Sequence, residues 1–269
     1  MRLLRPSEIL RIVAMSNIVI EIVEARAPLE LKSRVIESIA NKFNRYYLLV
    51  LSKCDLVPPK ICRDWVEYFA LSHNVDAVCV STLKGIGIKR LKHLFMDKLK
   101  EKGSLNIALF GLPKVGKSSL INALKGKDVA STSPYPGSWG YTKGITIYKI
   151  RPNIYVIDTP GYIPSDVRGL EVLIRSKPIE LIDNPITIAR EILKSVLNFD
   201  AKLIENIYGV HSLDPLEILL HIAVKRGWLY KNNKEPNIEE AARTVIRDYL
   251  DGKIMFYLLP PTRKPFKPK

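Results

Sequence analysis

The 269-residue chain contains no glutamine and only three cysteines. Cys54, Cys62 and Cys79 lie too far apart for a zinc ribbon, and an odd number excludes an even disulfide set. All three are expected to be reduced and structural. No apolar run approaches the length of a membrane span. The N-terminal apolar stretch, preceded by Arg2 and Arg5, is interrupted by Glu8, Arg11 and Glu21, which is no signal peptide. A cytoplasmic protein is expected. Acidic residues are the scarcer charge: 27 Asp and Glu face 42 Lys and Arg, for a net +15. Residues 1–169 carry +12, residues 170–262 carry −1, and the tail RKPFKPK (263–269) adds +4. An excess of this size favours a polyanionic partner such as RNA, DNA or anionic lipid.

What is present is organised around one loop. GLPKVGKSSL (111–120) fits G-x-x-x-x-G-K-S/T, with Gly111, Gly116, Lys117 and Ser118 in the fixed places. A strand-like run, LNIALF (105–110), precedes it, and a helix-like start, SLINAL (119–124), follows. The glycines let the backbone turn its N–H groups toward phosphate oxygens, and the helix N-terminus adds a positive dipole end. Lys117 would reach the β- and γ-phosphates and Ser118 would hold Mg²⁺. This reads as a nucleoside-triphosphate site.

The order of the other elements is unusual for such a loop. Apolar runs at Ile18–Val23, Tyr46–Leu51, Asp76–Val80 and Leu105–Phe110 read as buried strands. Ile145–Ile150 and Ile154–Ile157, joined by Arg151-Pro152-Asn153, read as an antiparallel edge pair. Helical patterns near 30–42, 60–72 and 86–101 separate the first four. This alternation implies an α/β fold with a mostly parallel six-stranded sheet. Ligand sites in such sheets lie beyond the carboxyl ends of the strands. Those ends carry SKCD (52–55), STLKG (81–85), the phosphate loop, and DTPG (158–161), while SPYPGSWGYTKG (133–144) lies before the edge pair.

These five motifs, in this rotated order, resemble the circularly permuted GTPases of the YlqF/YawG type, relatives of ribosome biogenesis GTPase A. IVIEIVEARAPLELKSR (18–34) is similar to that family's first strand and acidic-Ala-Arg-x-Pro segment, and GKIMFYLLPP (252–261) to its closing phrase. The resemblance covers nearly the whole chain. It implies a permuted Ras-like P-loop GTPase domain over 1–170, a small all-α domain over 171–260 that binds RNA, and a basic tail over 261–269. Asp55 would read the guanine ring N1–H and exocyclic amine, with Lys53 laying its stem along the base. Ser52 stands where Asn is common, and its hydroxyl can tie the base loop to the phosphate loop. Backbone N–H groups near Ser81 and Thr82 would meet the guanine carbonyl. Pro113, Lys114, Val115 and Ser119 complete the phosphate loop beside Gly116, Lys117 and Ser118. Thr142 is the candidate switch threonine on Mg²⁺, ahead of Thr132 and Ser138. Asp158 would hold the metal through water, and the Gly161 N–H would sense the γ-phosphate.

Two departures matter. The residue after DTPG, where Ras-type enzymes place a water-orienting Gln, is Tyr162, and the family carries a hydrophobic residue there. Slow intrinsic GTP hydrolysis that awaits a ribosomal partner is therefore expected. Lys114 stands where potassium-activated relatives have Asn; its ammonium can take the ion's place, making hydrolysis potassium-independent, or it can point to solvent. GTP, GDP and Mg²⁺ are the implied ligands, with no zinc and no membrane; the short N-terminus also lacks the zinc-bearing branch's extra barrel. The implied function is a GTP-hydrolysing switch in ribosomal subunit assembly, bound to rRNA as a monomer. The alternatives are a ribosome-binding module with a structural GTP site and negligible turnover, or a P-loop ATPase or kinase.

Beyond DTPGYIP the pattern is helical. Ala189, Ile192, Leu193, Val196 and Leu197 mark one face. Asp214-Pro215 with Glu217 starts a helix that stops near Gly227, and Asn237 with Glu240 resembles a capping box. Arg190/Lys194 and Arg243/Arg247 are basic pairs at helical spacing, candidates for phosphate contact.

Overall fold

The computed structural model describes residues 4–126, 131–132, 145–230, 232 and 234–261. One sheet is built from β1 (Ile18–Glu24), β2 (Tyr46–Ser52), β3 (Asp76–Cys79), β4 (Leu105–Phe110), β5 (Ser131–Thr132), β6 (Thr146–Arg151) and β7 (Ile154–Asp158). Their spatial order is β3-β2-β1-β4-β7-β6-β5. Neighbours from β3 through to β7 pair in parallel, while β6 and β5 run antiparallel to their neighbours. All six anticipated runs are strands, and β5 adds a two-residue edge. The runs were legible because both faces of a parallel sheet are covered, so β1 is buried at every position.

Among the described residues, six helices belong with the sheet: α1 (Pro6–Ala14), α2 (Pro28–Leu31), α3 (Arg34–Lys42), α4 (Pro59–His73), α5 (Ile88–Lys102) and α6 (Lys117–Lys125). The helix expected over 30–42 is interrupted because Ser33 is extended and its hydroxyl accepts the Val35 and Ile36 N–H groups, capping α3. Gly103 ends α5 with φ 72°. α1 was not anticipated: Glu8 and Arg11, which break the apolar run, lie on a helix that buries Ile9, Ile12 and Val13.

The chain forms two compact units: residues up to Val167 together with the segment from Tyr257, and Arg168–Phe256. The second unit ends at Phe256 rather than at the expected 260, because Leu258 rejoins the first. Its N–H donates to the Arg26 carbonyl (2.7 Å), and Trp65 Nε1 donates to the Leu258 carbonyl (3.2 Å).

Among the described residues the second unit is helical apart from a lone antiparallel bridge, Leu229 to Pro236: α7 (Leu170–Ser176), α8 (Pro185–Asp200), α9 (Lys202–Tyr208), α10 (Pro215–Lys225) and α11 (Ile238–Leu250). Ile192, Leu193 and Val196 of α8 share a core with Val245, Ile246 and Tyr249 of α11. Asp214 and Asn237 cap α10 and α11 with their side chains. Charge is buried as well: Arg175 donates to Glu171, which also accepts the Tyr249 hydroxyl. The Arg243/Arg247 pair is not the free basic face that its spacing suggests. Arg243 donates to the Ile179 carbonyl and to Glu239, and Arg247 lies 3.7 Å from Glu180. Arg190 is exposed, and Lys194 pairs with Glu191 at the surface.

One carboxyl sits in the middle of the sheet. Glu21, fully buried on β1, accepts the Ser33 N–H (2.7 Å) and the Tyr47 hydroxyl. Burial pushes it up to about 7, although both hydrogen bonds and Lys32 pull the other way. A carboxyl raised in the folded state favours folding below the unfolded value and loses that advantage as pH climbs through about 7. Glu21→Gln should therefore be nearly neutral at pH 4.5 and stabilise by roughly 2 kcal/mol at pH 8. Urea unfolding at the two pH values checks this; equal shifts at both would sink it.

Candidate nucleotide-binding site

Four loops gather along the carboxyl edge of the sheet, following β2, β3, β4 and β7. β1 and β4 lie side by side at the point where the connections diverge in opposite directions, which is where such sheets hold ligands. The loop after β4 is tightly wound. Gly111 has φ 149°, and a Cβ there would meet the Ile22 carbonyl oxygen at 2.5 Å. Gly116 has φ 101° and opens α6 with no side chain at the cap. Leu112 and Val115 are buried anchors, Pro113 is half-buried, and Lys114, Ser118 and Ser119 are exposed, Lys114 with φ 64°.

Lys117 folds back over this loop. Its Nζ donates to the Gly111 (2.8 Å) and Leu112 (2.7 Å) carbonyls. Burial lowers it to about 8, with Asp158 pulling in the opposite direction. Burial also raises Asp158, against the influence of Lys117 and Lys125. For both groups burial is the larger cause, and each favours the charged form of the other. A buried cation beside a glycine-wound turn and a helix N-terminus suits a phosphate. The donor set beside it, the Ser118 hydroxyl and the Asp158 carboxylate, is oxygen only, which suits Mg²⁺. Among the described residues no cluster of three or more His, Cys, Asp or Glu could hold a metal by itself. Thr142 and Ser138 lie outside the described residues, and Thr132 is on β5.

The DTPG turn is pinned to the same strand. Thr159 Oγ1 donates to the Leu109 carbonyl (2.6 Å), and the Tyr162 N–H donates to the Gly111 carbonyl (3.3 Å). This places Asp158 and Gly161 beside the phosphate loop, and Tyr162 is buried. Asp166, which no sequence motif marks, accepts the Ser33 hydroxyl (2.9 Å) and the Arg34 N–H (2.7 Å) at the start of α3. No local signal could have revealed a contact across more than a hundred residues.

SKCD follows β2. Ser52 is buried, and its hydroxyl lies 2.6 Å from the Val115 carbonyl and 3.0 Å from that of Val23, so one side chain links this turn to the phosphate loop. Lys53 has φ 51°, and Asp55 sits half-exposed in a 3-10 turn, Cys54–Leu56. The Cys54 N–H donates to the Val80 carbonyl (3.2 Å), fastening the turn to the loop after β3. A hydrogen bond with Cys62, and then burial, push the Cys54 thiol up, away from thiolate chemistry. In the next loop the Ser81 N–H is committed to the Ile86 carbonyl (3.0 Å) and its hydroxyl accepts the Lys84 N–H (3.0 Å). Ser81 therefore shapes the loop, and Thr82 is the exposed member of the pair.

The sheet order and the loop contents define the class: a P-loop GTPase domain, circularly permuted so that the base-side half comes first. Residues 106–214 match the family described as 50S ribosome-binding GTPase. The chain is 33% identical over 251 residues to the uncharacterized GTP-binding protein MJ1464 of Methanocaldococcus jannaschii, covering 92% of this chain and 65% of that one. It is 30% identical over 269 residues to nucleolar GTP-binding protein 2 of Cryptococcus neoformans var. grubii, covering 95% of this chain and 38% of that one. The chain thus spans less than two thirds of either relative's length. A GDP-bound structure of TM YlqF shares the fold, with a TM-score of 0.64 at 22% identity, over 96% of this chain and 99% of that one. The chain thus shares the fold of TM YlqF and is similar in sequence, over most of its length, to these GTP-binding proteins. Among the described residues no helix is long and apolar enough to cross a membrane.

Ser52→Ala leaves the buried Val115 carbonyl without its donor, and should cost about 1–2 kcal/mol in stability. Thermal or urea unfolding checks this; a loss within error of zero would mean that the link contributes nothing.

Proposed function

We propose that the chain binds guanine nucleotides with Mg²⁺, hydrolyses GTP slowly when alone, and serves as a switch in assembly of the large ribosomal subunit. The observation that carries this reading is the hydroxyl link between a turn bearing Asp55 and a loop bearing a buried lysine. Asp55 accepts from N1–H and the exocyclic amine of guanine, a donor pair that adenine lacks in this arrangement. The Lys53 stem lies along the base, and the Thr82 amide faces its carbonyl. Lys117 and the amides of 113–119 take the phosphates, and Lys114 removes the need for potassium. Ser118, Thr142 and, through water, Asp158 hold the metal, which neutralises charge on the transferring phosphate when bound. The Gly161 N–H senses the γ-phosphate.

Tyr162 offers no base at the water-orienting position, and no glutamine exists elsewhere to substitute. That supports a slow intrinsic rate raised by a partner. The partner's class is supported by the net charge of +15 and by the description of the matched family, which names the 50S subunit. DTPG is the last motif before the chain enters the helical unit, so a change at Gly161 has a short covalent path into it.

The test is competition against a fluorescent GDP. GTP and GDP should displace it at least a hundredfold better than ATP, and Asp55→Asn should transfer preference from guanine to xanthine. Phosphate release should then rise on adding large subunits, and less on adding small ones. ATP competing as well as GTP would overturn the nucleotide assignment. A fast rate without ribosomes would overturn the switch.

A further inference from the structure

β1 ends at Glu24, in register with Ser52 of β2, so this carboxylate lies directly beside the base-side turn. Glu24 is fully buried, and so is Arg26 two residues on. Oε1 of Glu24 accepts from Arg26, while Oε2 lies 2.9 Å from Lys53 Nζ. The Lys53 side chain is about 30% exposed, so its ammonium is drawn inward toward an anion that solvent does not reach.

The backbone of Lys53 is fixed independently. Ser52 accepts the Ala25 N–H through its carbonyl (2.8 Å), Cys54 donates to Val80, and Lys53 between them adopts φ 51°. A left-handed conformation at a residue with a side chain carries a strain that these flanking bonds offset. With Cα held by the turn and Nζ paired with Glu24, the methylene stem between them is tethered at both ends. Arg26 is itself held in place by the return of the chain: its carbonyl accepts the Leu258 N–H, and Leu258 accepts from Trp65.

We propose that Glu24 is a positioning residue for guanine binding. Buried and oriented by Arg26, it fixes the Lys53 stem as the apolar edge on which the base rests. This rests on the guanine-nucleotide reading given above. It assigns the acidic residue after β1 to the quality of the base site rather than to the phosphates. A base packing on a pre-ordered stem loses less conformational freedom than one that must order a free lysine. Removing the carboxylate should therefore weaken nucleotides that carry a base and leave phosphate-only ligands unaffected.

The test is a double-mutant cycle on GDP affinity with Glu24→Gln, Lys53→Met and the combination. Glu24→Gln should weaken GDP about tenfold in the wild-type background and less than twofold in the Lys53→Met background. Displacement by tripolyphosphate should not change in any variant. An equal loss from Glu24→Gln in both backgrounds, or a parallel loss of tripolyphosphate binding, would show that Glu24 acts through the fold and overturn the proposal. Should Glu24→Gln melt below the assay temperature, the paired Glu24→Met/Arg26→Met variant removes both buried charges at once, which cores tolerate better than one. The same cycle is then run on it, with the same two outcomes. Wild-type protein that fails to bind GDP while remaining folded would instead sink the guanine-nucleotide reading.

Discussion

Base-side and phosphate-side loops can cooperate only if they are held about one strand apart, and β1 imposes that distance. It pairs in parallel with β2 on one side and β4 on the other, so SKCD and the phosphate loop emerge at the same edge. Ser52 then closes the gap by binding a phosphate-loop carbonyl. Each further contact depends on this spacing. Gly111 must lack a side chain because the loop passes against Ile22 of β1, and Glu24 meets Lys53 because β1 and β2 end together.

Permutation leaves that geometry untouched because a sheet is specified by which strands pair, not by the order in which the chain visits them. Its consequence is in the connections. α5 carries the chain from the base-side strands to the phosphate strand, and β7, the strand that delivers DTPG, becomes the last one. The chain then leaves for the helical unit and returns at Leu258, onto the carbonyl of Arg26. The excursion begins a few residues after DTPG and ends at a backbone bond to Arg26, two residues beyond β1.

The strands could be read from sequence because burial on both faces turns them into continuous apolar runs, and the phosphate loop because its glycines answer a local backbone demand. What could not be read are the places where a polar side chain finds its partner far along the chain. Arg243 looked like one half of a basic face because only its helical spacing was visible; its acceptor, the Ile179 carbonyl, lies outside α11. Ser81 looked like an amide donor until Ile86 took its N–H. α1 was missed because charged residues in an apolar stretch look like interruptions, whereas at a 3.6-residue period they are a helix's wet side. Glu21 and Glu24 interrupt β1 in the same way, and there the interruptions are themselves informative: a carboxylate in a strand buried on both faces must have a partner waiting.

The two glutamates differ in what they accomplish. Glu21 is met by hydrogen-bond donors without an ion pair as close as that at Glu24, and the cost of its charge shows as a carboxyl raised to about 7. Glu24 is flanked by Arg26 and Lys53, so its buried charge is met by cations. Lys117 stands at the phosphate end, where burial has lowered its proton affinity. Asp158 lies near enough to Lys117 for each to favour the charged form of the other. Cations therefore stand on both sides of β1, Lys53 after β2 and Lys117 after β4, and each has a carboxylate for company.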